Sequence, residues 1–289
     1  VQLVDAAVER SDREDVVVVG GTPGGVAAAL SAGRAGRRVL LVECHRHIGG
    51  MSASGLGKSD VEKRHLVGGL FRDFTDRVRR HYLDRYGEDS RDFKLCRDGY
   101  YFEPSVAEAV FIQMLDACPN VSVLTQHRLV QAEVLRNVLT RIEIADCSEH
   151  EPTSPATGLG SYARQSVETR RLATAATTLR HFWCSAGVFI DATYEGDLLA
   201  AAGAEFRLGR ESRDEFDEPH AGVVYFDYQN GEFLPGTTGE RDSRLPAYTY
   251  RLCLTTDPAN AHVLTEPPSN YRREKYTGYF DDLATGRLS

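Results

Sequence analysis

The apolar positions of the chain change period as they run. Val16 to Val19 form an unbroken β-branched run behind the charged stretch SDRED, the pattern of a strand buried on both faces in a parallel sheet. From Gly25 the spacing becomes helical, with Val26, Ala27, Leu30 and Ala35 in small and apolar company. RRVLLVE then returns to a continuous apolar run ending at Glu43. Strand, glycine turn, helix and strand predict one βαβ unit.

Downstream, Leu70, Phe71, Phe74, Val78 and Tyr82 recur at three and four residues, which predicts an amphipathic helix with an arginine-rich outer face, read as solvated surface. A second helix is expected to open at Pro104, suited to a first helical position, and to bury Val106, Val110, Phe111, Met114 and Leu115. VSVL reads as a strand returning to the main sheet, and HRLVQAEVLRNVLTRIEIAD as a β-hairpin turning near Arg136 and Asn137. Residues 148–178 lack periodicity and are rich in Ser, Thr, Ala and Pro, the signature of an inserted loop. HFWC and GVFIDAT supply two further strands, and YEGDLLAAAG begins a helix.

These elements give an α/β fold: a Rossmann-like domain with a parallel central sheet and an inserted β-hairpin over residues 15–205, preceded by a tail at 1–14. Beyond about Gly203 the chain becomes charged and rich in turn formers, so 206–289 reads as the start of a second, α+β domain. The sequence lacks an initiator Met and stops without an evident terminal element, so it is read as ending inside that domain.

Composition narrows the partners. The chain has 289 residues, 42% of them hydrophobic, and a formal net charge of -8 without a dense basic run. Nucleic acid and anionic membrane surfaces both ask for a basic face, so a small molecule is the expected partner. No apolar run approaches the roughly 20 residues of a membrane span. Six scattered cysteines show no metal-like or C-x-x-C spacing, which fits a reducing, cytoplasmic setting.

The chemistry concentrates in VVVVGGTPGGVAAA. Amides at the start of a helix lack intrahelical acceptors and the helix dipole adds positive charge there, so a pyrophosphate can sit against the turn. Gly20 permits the tight turn and Gly25 a close helix–strand approach. Glu43, 23 residues after Gly20, stands where a carboxylate hydrogen-bonds a ribose diol, an arrangement that disfavours a 2′-phosphate. Thr22 holds the position usually given to a middle glycine. It fits only at negative φ, with its hydroxyl then placed to donate to phosphate. The nearby HIGGMSASGLGKSD, with Gly49, Gly50, Gly55 and Gly57, suits a loop whose backbone approaches a flat ligand.

Taken together, VVVVGGTPGGVAAA, LLVE, HIGGMSASGLGKSD, VGGLFRDF, YYFEPSVAEAVFIQML, VFIDATYEGDLLAAAGAEFRLGRES and RLCLT resemble the FAD-dependent oxidoreductase family with a glutathione-reductase-like FAD domain and a GGTPAG-type fingerprint, some of whose members are xanthan lyase-like. The resemblance implies bound FAD, with Gly20, Gly21, Thr22, Pro23, Gly24 and Gly25 at the pyrophosphate and Glu43 at the adenosine ribose. It places Gly49, Gly50 and Met51 further along the cofactor, Gly55, Leu56 and Gly57 nearest the isoalloxazine, and Leu129 or Val130 at adenine. Asp191, Ala192 and Thr193 would pass close to the pyrophosphate, Asp191 alternatively capping a strand end or helix. Gly24 departs from the commoner Ala. The second domain would cover the flavin ring.

A flavin site also needs groups that hold an anion or move a proton over the ring. Lys58, Asp60, His65, Arg207, Arg210 and Arg251 are the candidates, with Asp60, His65 and Arg210 carried furthest; Arg210 and Arg251 read equally as ion-pairing residues. Cys44, His45 and His47 adjoin the cofactor loop, where a covalent flavin link is conceivable. The first reading is an FAD-dependent oxidoreductase that transfers a hydride between a small organic substrate and flavin. A carbohydrate lyase or isomerase retaining the flavin, and a non-catalytic nucleotide-binding module, are the alternatives.

Overall fold

A computed structural model describes residues 13–147, 181–245 and a scatter of positions between 254 and 285. Through Arg251 the chain forms one compact unit, and Leu252–Ser289 forms a second whose described parts include short 3-10 turns at Pro258–Asn260 and Arg273–Tyr276.

Strand β1 (Glu14–Val19) leads into helix α1 (Pro23–Arg34) and strand β2 (Val39–Val42), which pairs parallel with β1. Helices α2 (Gly69–Tyr86), α3 (Arg91–Leu95) and α4 (Pro104–Asp116) come next, then β3 (Val121–Leu124), parallel to β2. The hairpin of β4 (His127–Leu135) and β5 (Val138–Asp146) turns through Arg136 and Asn137, whose φ of 52° and 63° give the primed turn that matches strand twist. Strand β6 (His181–Asp191) completes a six-stranded sheet in the order β3-β2-β1-β6-β5-β4.

The sequence pattern divides HFWC and GVFIDAT into separate strands. They are one. The first half of β6 pairs antiparallel with β5, and the second half pairs parallel with β1. Ser185, Ala186 and Gly187 look like a break locally, but neighbours on both sides use their backbone groups, so the extended chain continues. At Gly187 the Asp15 carbonyl would lie 3.2 Å from an added Cβ.

Both faces of the parallel strands are covered. Val16, Val18, Leu41 and Val39 join Leu30 of α1, Phe74 and Val78 of α2, and the α4 residues Val106, Val110, Phe111, Met114 and Leu115. On the other face Val17, Val19, Leu40 and Val42 pack with Ile142, Ile144 and Leu198. Val17 and Val18 are both fully buried, each contributing about 2 kcal/mol of apolar burial. The five apolar residues read from the α4 pattern are all buried.

After β6 come α5 (Asp197–Ala201), α6 (Arg213–Phe216) and a short hairpin of β7 (Phe226–Asp227) and β8 (Glu232–Phe233). The insertion read at 148–178 lies outside the described residues, as does most of the N-terminal tail.

Candidate functional site

The site grows from the end of β1. Gly20 leaves the sheet at φ +104°, and its amide donates to the Val42 carbonyl at 2.8 Å. An added Cβ there would stand 2.6 Å from the Ala192 carbonyl group, so this glycine is required by dihedral and by space. At Gly25 the limit is space alone, since a Cβ would lie 1.9 Å from the Gly20 carbonyl oxygen. Gly24 faces open room, with only Thr22 Oγ1 at 3.7 Å from an added Cβ, so an Ala would fit there without a clash.

Thr22 is the N-cap of α1 at φ −69°, within the negative range a β-branched residue requires. Its hydroxyl, expected from sequence to donate to phosphate, does otherwise. It accepts from the Gly25 amide at 3.2 Å and donates to the Ala192 carbonyl at 2.8 Å, tying the turn to the end of β6. The donor is therefore spent. Pro23 has no N–H, Gly25 is capped and Gly21 is engaged elsewhere, which leaves the amides of Thr22 and Gly24 without an acceptor among the described residues. Two uncommitted N–H groups at a helix start are what an anionic ligand would need.

Glu43 extends β2 by one residue and is buried at 7% exposure. Its Oε2 accepts from the Gly21 amide at 2.6 Å, and its Oε1 accepts from the His45 amide at 2.8 Å and the Cys44 thiol at 3.3 Å. A carboxylate has about four acceptor positions, so one on Oε2 is left for a hydroxyl such as that of a ribose. Desolvation by the surrounding chain, and then the adjacent Glu43 charge, push the Cys44 thiol upward, although the residue itself is exposed at the surface. The ligand atoms of Glu43, Cys44 and His45 lie within 4.8 Å of one another, close enough for a metal ion, but those of Glu43 already receive three donors.

The second glycine stretch docks on the first: the Gly49 amide donates to the Gly21 carbonyl at 2.7 Å. Glu108 of α4 holds its approach, accepting from the Ile48 amide at 3.2 Å and bonding His47 Nδ1 at 2.9 Å. Tyr194 closes the other side, its hydroxyl accepting from the Met51 amide at 2.9 Å and standing where a side chain on Gly50 would go. Ser52–Leu56 forms a wide helical turn broken at Ser54 and Gly55, and Gly57 ends it in the left-handed region. The Phe102 amide donates to the Gly57 carbonyl at 3.0 Å. Gly20, Gly21, Thr22, Glu43, Gly49, Gly50 and Met51 are thus brought together around one turn. Sequence reasoning missed Tyr194 and Glu108; the first lies inside the DATYEGD motif, and the second carries no local signal.

At the end of β6, Asp191 caps the turn into α5. Its Oδ1 accepts from the Thr193 amide and hydroxyl at 2.9 and 2.7 Å, and its Oδ2 from the Leu199 amide at 2.8 Å. The Thr193 hydroxyl accepts from the Gly196 and Asp197 amides. The Ala192 amide donates to Val19, and its carbonyl accepts from Thr22. This is the capping alternative for Asp191. Partial burial, then the charge of Asp197, raises Glu195 above the usual carboxylate range; partial burial, then the Asp191 charge, raises Asp197. Burial also raises the Tyr194 hydroxyl, with Glu43 and Glu195 adding to it against the Met51 amide.

The remaining candidates fall elsewhere. Leu129 pairs with Ile144, and the register then skips Val130. Lys58 and Asp60 form an exposed ion pair at 2.9 Å, and His65 is exposed in the turn Arg64–Leu66. Arg207 pairs with Glu211 and Glu215. Arg210 forks onto Asp242, with Nε to Oδ1 at 2.8 Å and a second bond from Nη2 to Oδ2, and holds Asp242 down to about 2. That bidentate pair gives Arg210 the ion-pairing role weighed against substrate binding. Arg251 lies outside the described residues.

The profile of the family described as FAD dependent oxidoreductase matches residues 15–158 and 160–288. Among solved structures, THI4 of Thermovibrio ammonificans is similar at 20% identity and a TM-score of 0.40, over 69% of this chain and 67% of that one. L-proline dehydrogenase from P. horikoshii is similar at 13% identity and a TM-score of 0.39, over 69% and 58%. The p-nitrophenol 4-monooxygenase of Pseudomonas putida is similar at 17% identity and a TM-score of 0.38, over 69% and 46%. The chain therefore spans between about half and two thirds of the length of these structures. No curated protein matches it. Among the described residues, no helix is long and apolar enough to cross a membrane.

Proposed function

The chain belongs to the FAD dependent oxidoreductase family, and on that premise we propose that it transfers a hydride between a small organic substrate and FAD held at the β1–α1 turn. FAD supplies the redox chemistry, and the protein supplies binding, orientation and exclusion of water. The observation that carries the placement is the pair of amides, Thr22 and Gly24, left without acceptors at a helix start one strand away from a buried carboxylate with acceptor capacity to spare.

In this reading the Thr22 and Gly24 amides hold the pyrophosphate. Gly20, Gly21, Pro23 and Gly25 shape the backbone around it. Glu43 accepts from the adenosine ribose, and Leu129 or the neighbouring Val130 lies at adenine. Gly49, Gly50 and Met51 line the path, and Gly55, Leu56 and Gly57 flank the isoalloxazine. Ala192 and Thr193 support the turn from behind. Residues 206–289 begin a substrate domain, Asp60 and His65 are the polar candidates near the flavin ring, and the cysteines fit a reducing, cytoplasmic setting.

The test is to reconstitute the chain with FAD, remove the excess by gel filtration and record the visible spectrum. Wild type should keep its flavin bands. Glu43→Ala should weaken FAD about ten- to a hundredfold, the effect of losing a hydrogen bond to a charged group. Gly20→Val should abolish retention. A colourless wild type with native circular dichroism would refute the placement.

A further inference from the structure

A second group of residues converges away from the dinucleotide turn. The loop after the second glycine stretch, helix α2 and the turn before Phe102 border a half-open cavity of about 340 Å³ lined by Arg64, Arg72 and Arg79, with Asp76, Asp98 and Tyr100. The helical pattern alone puts the arginines of α2 on solvated surface. Arg80 fits that description, but Arg79 is half-buried, and its guanidinium lies 5.1 Å from the Phe93 ring centroid. No carboxylate among the described residues pairs with it.

Two further observations describe the wall of this cavity. Tyr100 is 3% exposed, and its hydroxyl has no hydrogen-bond partner, with the Arg64 guanidinium 4.1 Å from its ring centroid. That hydroxyl is shut off from solvent and so from the cavity, which leaves the ring as the part of Tyr100 that lines the wall. The turn that carries it is also strained: Arg97, Asp98 and Gly99 are consecutive left-handed residues at φ 45°, 62° and 84°. Such backbone persists where the surroundings over-determine it, often beside a binding site. Arg64 Nη1 braces this turn, donating to the Arg97 carbonyl at 3.1 Å and Asp98 Oδ2 at 3.2 Å.

We propose that this cavity is a second binding site, separate from the dinucleotide turn, for a small organic molecule bearing a carboxylate or phosphate. Guanidinium forks match the planar or tetrahedral oxyanion bidentately. The existing pairs yield readily, because the Arg72 and Asp76 side chains are each 55% exposed and exposed pairs are worth at most ~1 kcal/mol. The volume and the Tyr100 ring suit a body larger than a bare ion. The Asp76 and Asp98 carboxylates receive its hydroxyl or amino groups. The walls also touch the cofactor side, since the Ser59 amide donates to the Tyr100 carbonyl at 2.8 Å and the Phe102 amide to Gly57.

The test is isothermal titration of the full chain with succinate and, separately, inorganic phosphate, in chloride of matched ionic strength. One or both should bind saturably. Arg79→Gln and Arg72→Gln should each weaken binding about tenfold, and Arg80→Gln not at all. Binding by succinate alone assigns a carboxylate ligand, and by phosphate alone a phosphoester. Near-ultraviolet circular dichroism of each variant checks that the fold survives. No saturable binding of either probe up to about 10 mM, tenfold above a millimolar dissociation constant, overturns the proposal. So does an Arg80→Gln loss equal to that of Arg79→Gln, which would mean general surface attraction.

Discussion

Replacing Thr22 with valine removes one oxygen and keeps the β-branched shape that the extended N-cap conformation accepts. Two hydrogen bonds go with it. The cap on the Gly25 amide is worth about 1 kcal/mol. The Ala192 carbonyl, which loses its donor in a part-buried position, adds about 1 kcal/mol more. The sum, about 2 kcal/mol, corresponds to a fall of about 4–8 °C in Tm for a unit of this size. The assay is thermal or urea unfolding of the FAD-free chain, with Thr22→Ser as the variant that keeps the hydroxyl and should stay near wild type. The same variant separates two roles for this oxygen. If the hydroxyl served phosphate, Thr22→Val would leave the FAD-free stability unchanged and weaken FAD at least about tenfold. That result would refute the tie to Ala192.

Gly25→Ala should cost about 3 kcal/mol or prevent folding, since its Cβ would stand 1.9 Å from the Gly20 oxygen; urea unfolding at wild-type midpoint would show that helix and strand are further apart than described. Glu195→Gln tests the acidic segment after β6. The folded state raises this carboxyl above its unfolded value, so the wild type is relatively most stable below the ordinary carboxylate range and loses stability as pH rises through the raised value. The variant should lack that decline, a small effect because the carboxyl is only partly buried and the residue is largely exposed. Tm curves of the two proteins that stay parallel from about pH 4 to about pH 7 would refute the assignment.

The βαβ unit and the α4 core were legible because their signals are local: a run of valines, a change of period at Gly25, a proline at the head of an apolar stripe. The hairpin was legible for the same reason, Arg136 and Asn137 sitting between alternating strands. What stayed hidden depends on partners distant in sequence. The Thr22 hydroxyl could not be assigned without Ala192, 170 residues away. The continuity of β6 came from ladders on its two sides, which no window of sequence contains. The arginine cavity needed three segments, of which each alone looks like charged surface.

Strand β6 has a consequence for how the chain is made. β1 lies between β2 and β6, and its partner on one side appears early while the other is Ala186 to Asp191. During synthesis at about 5–20 residues per second, the valine edge of β1 waits about 10–30 s for that partner to leave the ribosome. Through that interval the nascent chain carries an open, apolar strand edge, the kind of template that other chains add to. The same pairing that makes β1 central in the finished sheet leaves that edge without its partner until β6 has been made.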